Sequence, residues 1–150
     1  ASGRSQQVSA LLIKAGANVG AVDAEGQTPL HLTSPNGNVE TVQLLLYSGA
    51  LIEAHDKQNR TALHRAANWS SHAIVAGLLE RGANIEARTT AGETPLHLAA
   101  VAHDSTAIEA LVAAGASSEA KDDKGRTPLD VATANGRTKA IDWLKTAAGK

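Results

Sequence analysis

The tetrapeptide Thr28-Pro29-Leu30-His31 returns as Thr61-Ala62-Leu63-His64, Thr94-Pro95-Leu96-His97 and Thr127-Pro128-Leu129-Asp130, each copy 33 residues after the one before. Gly16-Ala17, Gly49-Ala50, Gly82-Ala83 and Gly115-Ala116 keep the same step. Two unrelated markers in phase mean that one structural unit is copied along the chain. A unit this short buries its apolar face only against its neighbours, so stability is local and roughly additive along the array.

Each Thr suits a helix N-cap, where its hydroxyl takes a free amide of the first turn. Pro29, Pro95 and Pro128 follow at the position where a missing N–H costs nothing, and Ala62 replaces them once without loss of helix propensity. Leu30, Leu63, Leu96 and Leu129, with Ala66-Ala67 and Ala99-Ala100, predict an inner helix whose narrow apolar face lets a neighbouring helix come close. A second helix follows: Val39, Val42, Leu45 and Leu46 form one helical stripe, and Ile74, Val75, Leu78 and Leu79 form its counterpart. Asn38, Ser71 and Asp104 are its expected caps, and Gly49, Gly82 and Gly115 end it in left-handed backbone. Hairpin-like turns then lead through Gly26, Asn59, Gly92 or Gly125, residues that tolerate positive φ, to the next unit.

Helix, helix and projecting turn on a 33-residue period, with T-P-L-H and G-A markers, resemble the ankyrin repeat over essentially the whole chain. The implied fold is an all-α solenoid in one domain, 1–150, with a partial unit at about 1–22, then 23–55, 56–88, 89–121 and a C-terminal cap at 122–150. Lys139, Asp142 and Lys145 make the last helix polar, as a solubilising cap requires, and Ala148 stands where a Gly is expected. The first unit lacks its inner helix, which leaves Val8, Leu11, Leu12 and Ile13 to be covered by residues 1–5, by a second copy, or by more of a longer protein. A start without Met, at Ala1-Ser2-Gly3-Arg4-Ser5, points to a processed, tagged or engineered chain.

Composition removes several classes of function. With 14 basic and 15 acidic residues there is no basic footprint for nucleic acid or for an anionic membrane. Apolar runs such as Leu44-Leu45-Leu46 are too short to span a bilayer, and no leader opens the chain. Absence of cysteine excludes disulfides and thiolate metal sites, and makes the cytosol the default compartment. Neither a catalytic motif nor a cofactor motif is present. His31, His64 and His97 repeat evenly, but stacked units set them roughly 10 Å apart, too far to share an ion whose ligands lie at about 2 Å. They are expected to bond Thr and turn backbone, tying unit to unit, as the resemblance also implies. His55 and His72 have no catalytic partner at a suitable spacing. Glu53, Glu86 and Glu119 share one phase and are read as turn-bracing or solvent-facing; the resemblance implies an Asn there that can be hydroxylated, so its replacement makes this chain a poor substrate for that modification.

With Phe and Met also absent, only Tyr47, Trp69 and Trp143 are aromatic. Trp69 lies at the end of an inner helix, where aromatics commonly anchor an interface; Trp143 is expected in core or cap, and Tyr47 half-buried. Turn tips and inner-helix ends project together as a concave strip carrying Lys57, Gln58 and Arg60, then Arg88, Thr90 and Glu93, then Lys121, Asp123, Lys124 and Arg126. Earlier turns have Glu25 and Gln27, so the strip becomes basic along its length and fits an acidic partner. The candidate partner-binding set is Trp69, Asn68, Arg60, Lys57, Gln58, Arg88, Glu93, Asn36, His103 and Arg126, and the structural motif is Thr28, His31, Thr61, His64, Thr94, His97 and Thr127. The expected function is a non-catalytic, cofactor-free module, monomeric and bound to another protein. The alternatives are self-association through the uncovered N-terminal end, an engineered scaffold without a natural ligand, and the regulatory or targeting arm of a larger enzyme.

Overall fold

A computed structural model describes residues 11–33, 39–69 and 71–148. Expectations placed on residues 1–5, Val8, Ser34, Pro35, Asn36, Asn38 and Ser70 lie outside the described residues. Among the described residues a short helical stretch, 11–14, precedes eight helices: α1 Pro29–Thr33, α2 Val39–Tyr47, α3 Ala62–Asn68, α4 His72–Glu80, α5 Pro95–Ala99, α6 Thr106–Ala113, α7 Pro128–Ala134 and α8 Thr138–Ala148. They stack in two layers. The inner helices α1, α3, α5 and α7 lie side by side, the outer helices α2, α4, α6 and α8 do likewise, and each inner helix packs on its own outer partner.

The inner layer forms as the sequence dictates. Thr61, Thr94 and Thr127 adopt extended backbone at the N-caps of α3, α5 and α7, each closing a capping box with the residue three positions on. Ala66, Ala67, Ala99 and Ala100 are fully buried, and their small side chains let the inner helices approach closely. Leu30, Leu63 and Leu96 from the inner layer and Val42, Leu45, Ile74, Leu78, Ile108 and Leu111 from the outer fill the space between layers. Helix α8 buries Ala140 and Leu144 on one side and exposes Lys139, Asp142 and Lys145 on the other.

Among the described residues the projecting turns contain no strand. Each closes on its own backbone, with the amide of Asp23, Asp56, Thr89 or Asp122 donating to the carbonyl four residues on. Each is also tied to the next turn: Lys57 N–H donates to Glu25 O at 3.0 Å, Thr90 N–H to Gln58 O at 2.9 Å and Asp123 N–H to Ala91 O at 3.1 Å. That contact decides one glycine. Gly92 has φ +72°, and a Cβ there would meet Asp123 N at 2.9 Å as well as its carboxylate.

Two aromatic expectations are corrected. Trp143 is 39% exposed, because the stripe that packs inward is Ala140, Ile141 and Leu144 and the indole lies past its edge. Tyr47 is 78% exposed at the end of α2, and one face of its ring meets Arg81 of the next unit, whose guanidinium carbon stands 4.5 Å from the ring centre. A cation on an exposed aromatic face contributes about 0.5–1 kcal/mol.

Candidate functional site

The repeated histidines resolve into a ladder. Thr28 N–H donates to His31 Nδ1 at 3.2 Å, so that nitrogen holds a lone pair and the proton sits on Nε2, which donates to Arg60 O at 2.8 Å. His64 repeats this with Thr61 at 3.1 Å and Glu93 O at 3.2 Å, and His97 with Thr94 at 3.2 Å and Arg126 O at 2.9 Å. The Thr hydroxyls lie 2.9–3.0 Å from the same Nδ1 atoms and donate to them. Both ring nitrogens are therefore committed, and none is left for a metal or a proton relay. Burial, against the pull of the accepting carbonyls, lowers the pKa of His31 and lowers that of His64 to about 4. In the last copy Asp130 accepts from Thr127 N–H at 2.9 Å and from its hydroxyl at 2.8 Å; a carboxylate has no donor to pass on to a further turn.

The phased acids are also structural. Glu53 Oε1 accepts from Asn84 N–H at 2.8 Å and Glu86 Oε1 from Ser117 N–H at 2.7 Å, each bracing the following unit, while Glu119 is exposed. His72 Nδ1 lies 3.1 Å from Thr106 O, so its N–H form ties α4 to α6.

Much of the basic strip is internally engaged. Arg60 grips Asp56 Oδ2 with Nε and Nη2, both at 2.7 Å, and Arg126 grips Asp122 Oδ2 at 2.8 and 2.7 Å. Burial alone would raise both carboxyls, but the paired guanidinium and the turn amides outweigh it and hold Asp56 and Asp122 below their ordinary value. Arg88 donates from Nη1 to Gly92 O at 2.8 Å and to Lys121 O at 2.7 Å, locking two turns. Glu93 is half-buried, 3.4 Å from the Thr89 hydroxyl and 3.9 Å from Arg126 Nη2. Lys57, Gln58, Lys121 and Lys124 stand out into solvent. His103 is exposed too, between α5 and α6, where Arg137 reaches it at 3.3 Å, and it does not line the recess that Gln58, Arg60 and Asn68 share.

Gln58, Arg60 and Asn68 do converge. With His64, Arg65, Leu98, Glu93 and residues 89–91 they line a recess of about 270 Å³ between α3 and the turns at 56–60 and 89–93. Trp69 caps α3 immediately beside Asn68 and is 59% exposed. The residue that sequence reasoning missed is Arg65. It stands where the other units have Leu32, Leu98 and Val131, so a comparison of the four units column by column displays it.

Among the described residues no helix is long and apolar enough to cross a membrane. No curated protein matches the chain. A family model described as ankyrin repeats (3 copies) matches residues 1–89 and again 86–149, so with the stacked two-layer geometry the chain belongs to the ankyrin-repeat family, whose arrays are generally protein–protein interaction modules and typically non-catalytic.

Proposed function

We propose that this chain is a non-catalytic binding module that docks another protein on the face formed by its turn tips and inner helices, with Trp69 as the central anchor and Asn68, Gln58, Lys57, Arg60 and Arg88 around it. The observation that carries this reading is the exposed Trp69 at the end of α3, next in the chain to Asn68, which lines the 56–60 and 89–93 recess, in a chain that has only three aromatic residues. A large rigid side chain held out on a braced surface loses little entropy on binding, which is why tryptophan dominates interface anchors. Neighbouring turns are already tied by backbone bonds, so docking is rigid-body with little backbone movement. The whole of 1–150 is taken as one domain, monomeric in solution. An engineered array or an arm of a larger protein would present the same surface.

The test is hydrogen–deuterium exchange on the full chain with peptides selected from a random display library, together with Trp69→Ala. Protection centred on 57–69 and 88–93, lost with Trp69→Ala by about 2 kcal/mol or more of affinity, supports the face. Binders that map to the outer helices, or that ignore Trp69→Ala, overturn it. Light scattering on the same samples decides self-association: a dimer lost in Trp69→Ala would put the second copy on this face, and one lost in a polar Leu12 variant would put it at the N-terminal end.

A further inference from the structure

The fourth position after each repeat Thr holds Leu32, Arg65, Leu98 and Val131. Three units place hydrocarbon there, and one places a guanidinium in the wall of the recess. Its Nε is sealed from solvent without an acceptor, and none of the ion pairs or hydrogen bonds among the described residues uses this guanidinium. The two acids whose charge acts on it, and the one acid that lines the recess, have other partners. Asp56 is gripped by Arg60, Asp23 accepts from the amides of Glu25 and Gln27 at 2.8 Å each, and Glu93, on the same recess wall, is turned toward Thr89 and Arg126. Burial first, and then the like charge of Arg60, press the pKa of Arg65 below its ordinary value, against the pull of Asp56 and Asp23. An arginine stays cationic under such pressure, so among the described residues a half-buried guanidinium feels only the distant pull of two carboxylates and has no direct ion pair or hydrogen bond of its own. The recess is open on the binding face, and the missing counter-charge has a route in from outside.

We propose that this recess is a carboxylate seat: an aspartate or glutamate side chain of the partner polypeptide docks on Arg65 between the turns at 56–60 and 89–93, with adjoining partner residues lying over Trp69. The inference rests on the binding-face reading above and names the chemistry at its centre. With Nε sealed, the two terminal nitrogens of the planar guanidinium are the pair that would match a carboxylate in two parallel bonds. At about 270 Å³ the recess holds one side chain and falls short of the roughly 300–1,000 Å³ of small-molecule sites. Gln58 and Asn68 line the same recess and offer amide donors to the rest of the acid.

Display-selected peptides, measured by fluorescence anisotropy against wild type, Arg65→Leu, Arg65→Gln and Trp69→Ala, test the seat. Peptides recovered on wild type are expected to share an Asp or Glu at one fixed position. Changing that acid to its amide weakens binding to wild type by about tenfold and leaves binding to Arg65→Leu and Arg65→Gln unchanged, since one interaction is removed from either side. Binders without a fixed acid overturn the seat, as does an acid whose loss costs as much on the Arg65 variants as on wild type. Peptides that depend on Trp69 but need no acid sink the seat while the binding face stands; a library giving no Trp69-dependent binder sinks both.

Discussion

His64 shows how much one side chain does in this array. Its ring closes the cap of its own helix through Nδ1 and holds the next turn through Nε2, and only the neutral form has the lone pair that the first bond requires. Folding therefore favours the uncharged ring and lowers the pKa from 6.5 to about 4. The sign follows from linkage: the unfolded chain takes up the proton first, so this contribution is complete above about pH 6.5 and is lost as pH falls toward 4. From about pH 7.5 to pH 5, His64 alone should remove about 2 kcal/mol, with His31 adding in the same direction. Urea midpoints at the two pH values check this, and a flat profile would contradict the ladder. The paired carboxylates Asp56 and Asp122 act in a lower window, below about 3.8, and leave the comparison clean. Arg65 has the opposite character, costing stability where it stands. Arg65→Leu, which restores the residue type of the neighbouring units, should raise the urea-derived stability by about 1–2 kcal/mol. A loss would mean that the guanidinium is compensated within the fold.

At the scale of elements, the turns and the two-layer core carry the stability. Gly92 and Gly125 share nearly the same backbone, φ +72° and +73°, yet only Gly92 lies against the following turn. Gly125→Ala should cost about 1 kcal/mol of strain, and Gly92→Ala visibly more, up to about 3 kcal/mol, because Asp123 must also move. Equal unfolding midpoints would show that the turns are less closely packed than described. Leu45 and Leu78, buried between helix pairs, should each cost about 2–5 kcal/mol when cut to Ala. Helices, inner-helix caps and positive-φ positions were legible in the sequence because each rests on local rules that recur every 33 residues, whereas the outer-helix caps were legible only in part: α6 takes Ser105 rather than Asp104 as its N-cap, and Ser71 caps α4 without a side-chain bond. What escaped was set by neighbours across units. The bond from Glu53 to the Asn84 amide, the contact that Arg81 makes with Tyr47 and the exposure of Trp143 depend on where the adjacent unit lies, which periodicity fixes only to about a helix diameter. Within the candidate site, Trp69, Asn68, Arg60 and Gln58 were legible as polar or aromatic departures at a helix end and a turn tip. Arg65 was not, because a long basic side chain in an inner helix looks like an ordinary solvated residue until its missing partner is seen.

Over the whole molecule, each helix pair is held only by the pair before and the pair after, so protection should be graded along the chain. Residues 62–80 have a buried neighbour on both sides, whereas in 11–22 only Ile13 and Val19 are even half-buried. Amide exchange in the free protein should accordingly be fastest in 11–22 and slowest in α3 and α4; a uniform profile would mean that the array opens as one body. The seams between units have a wider consequence. The repeated bonds across them, from His to carbonyl, from amide to Glu and from turn to turn, begin and end at the same place in successive blocks. A genetic duplication of one full block would bring its own donors and acceptors and would join without new chemistry at either junction. Copied once, the block 56–88 would bring a second Trp and a second unpaired Arg about one helix spacing away, turning a single grip on an acidic chain into a bivalent one.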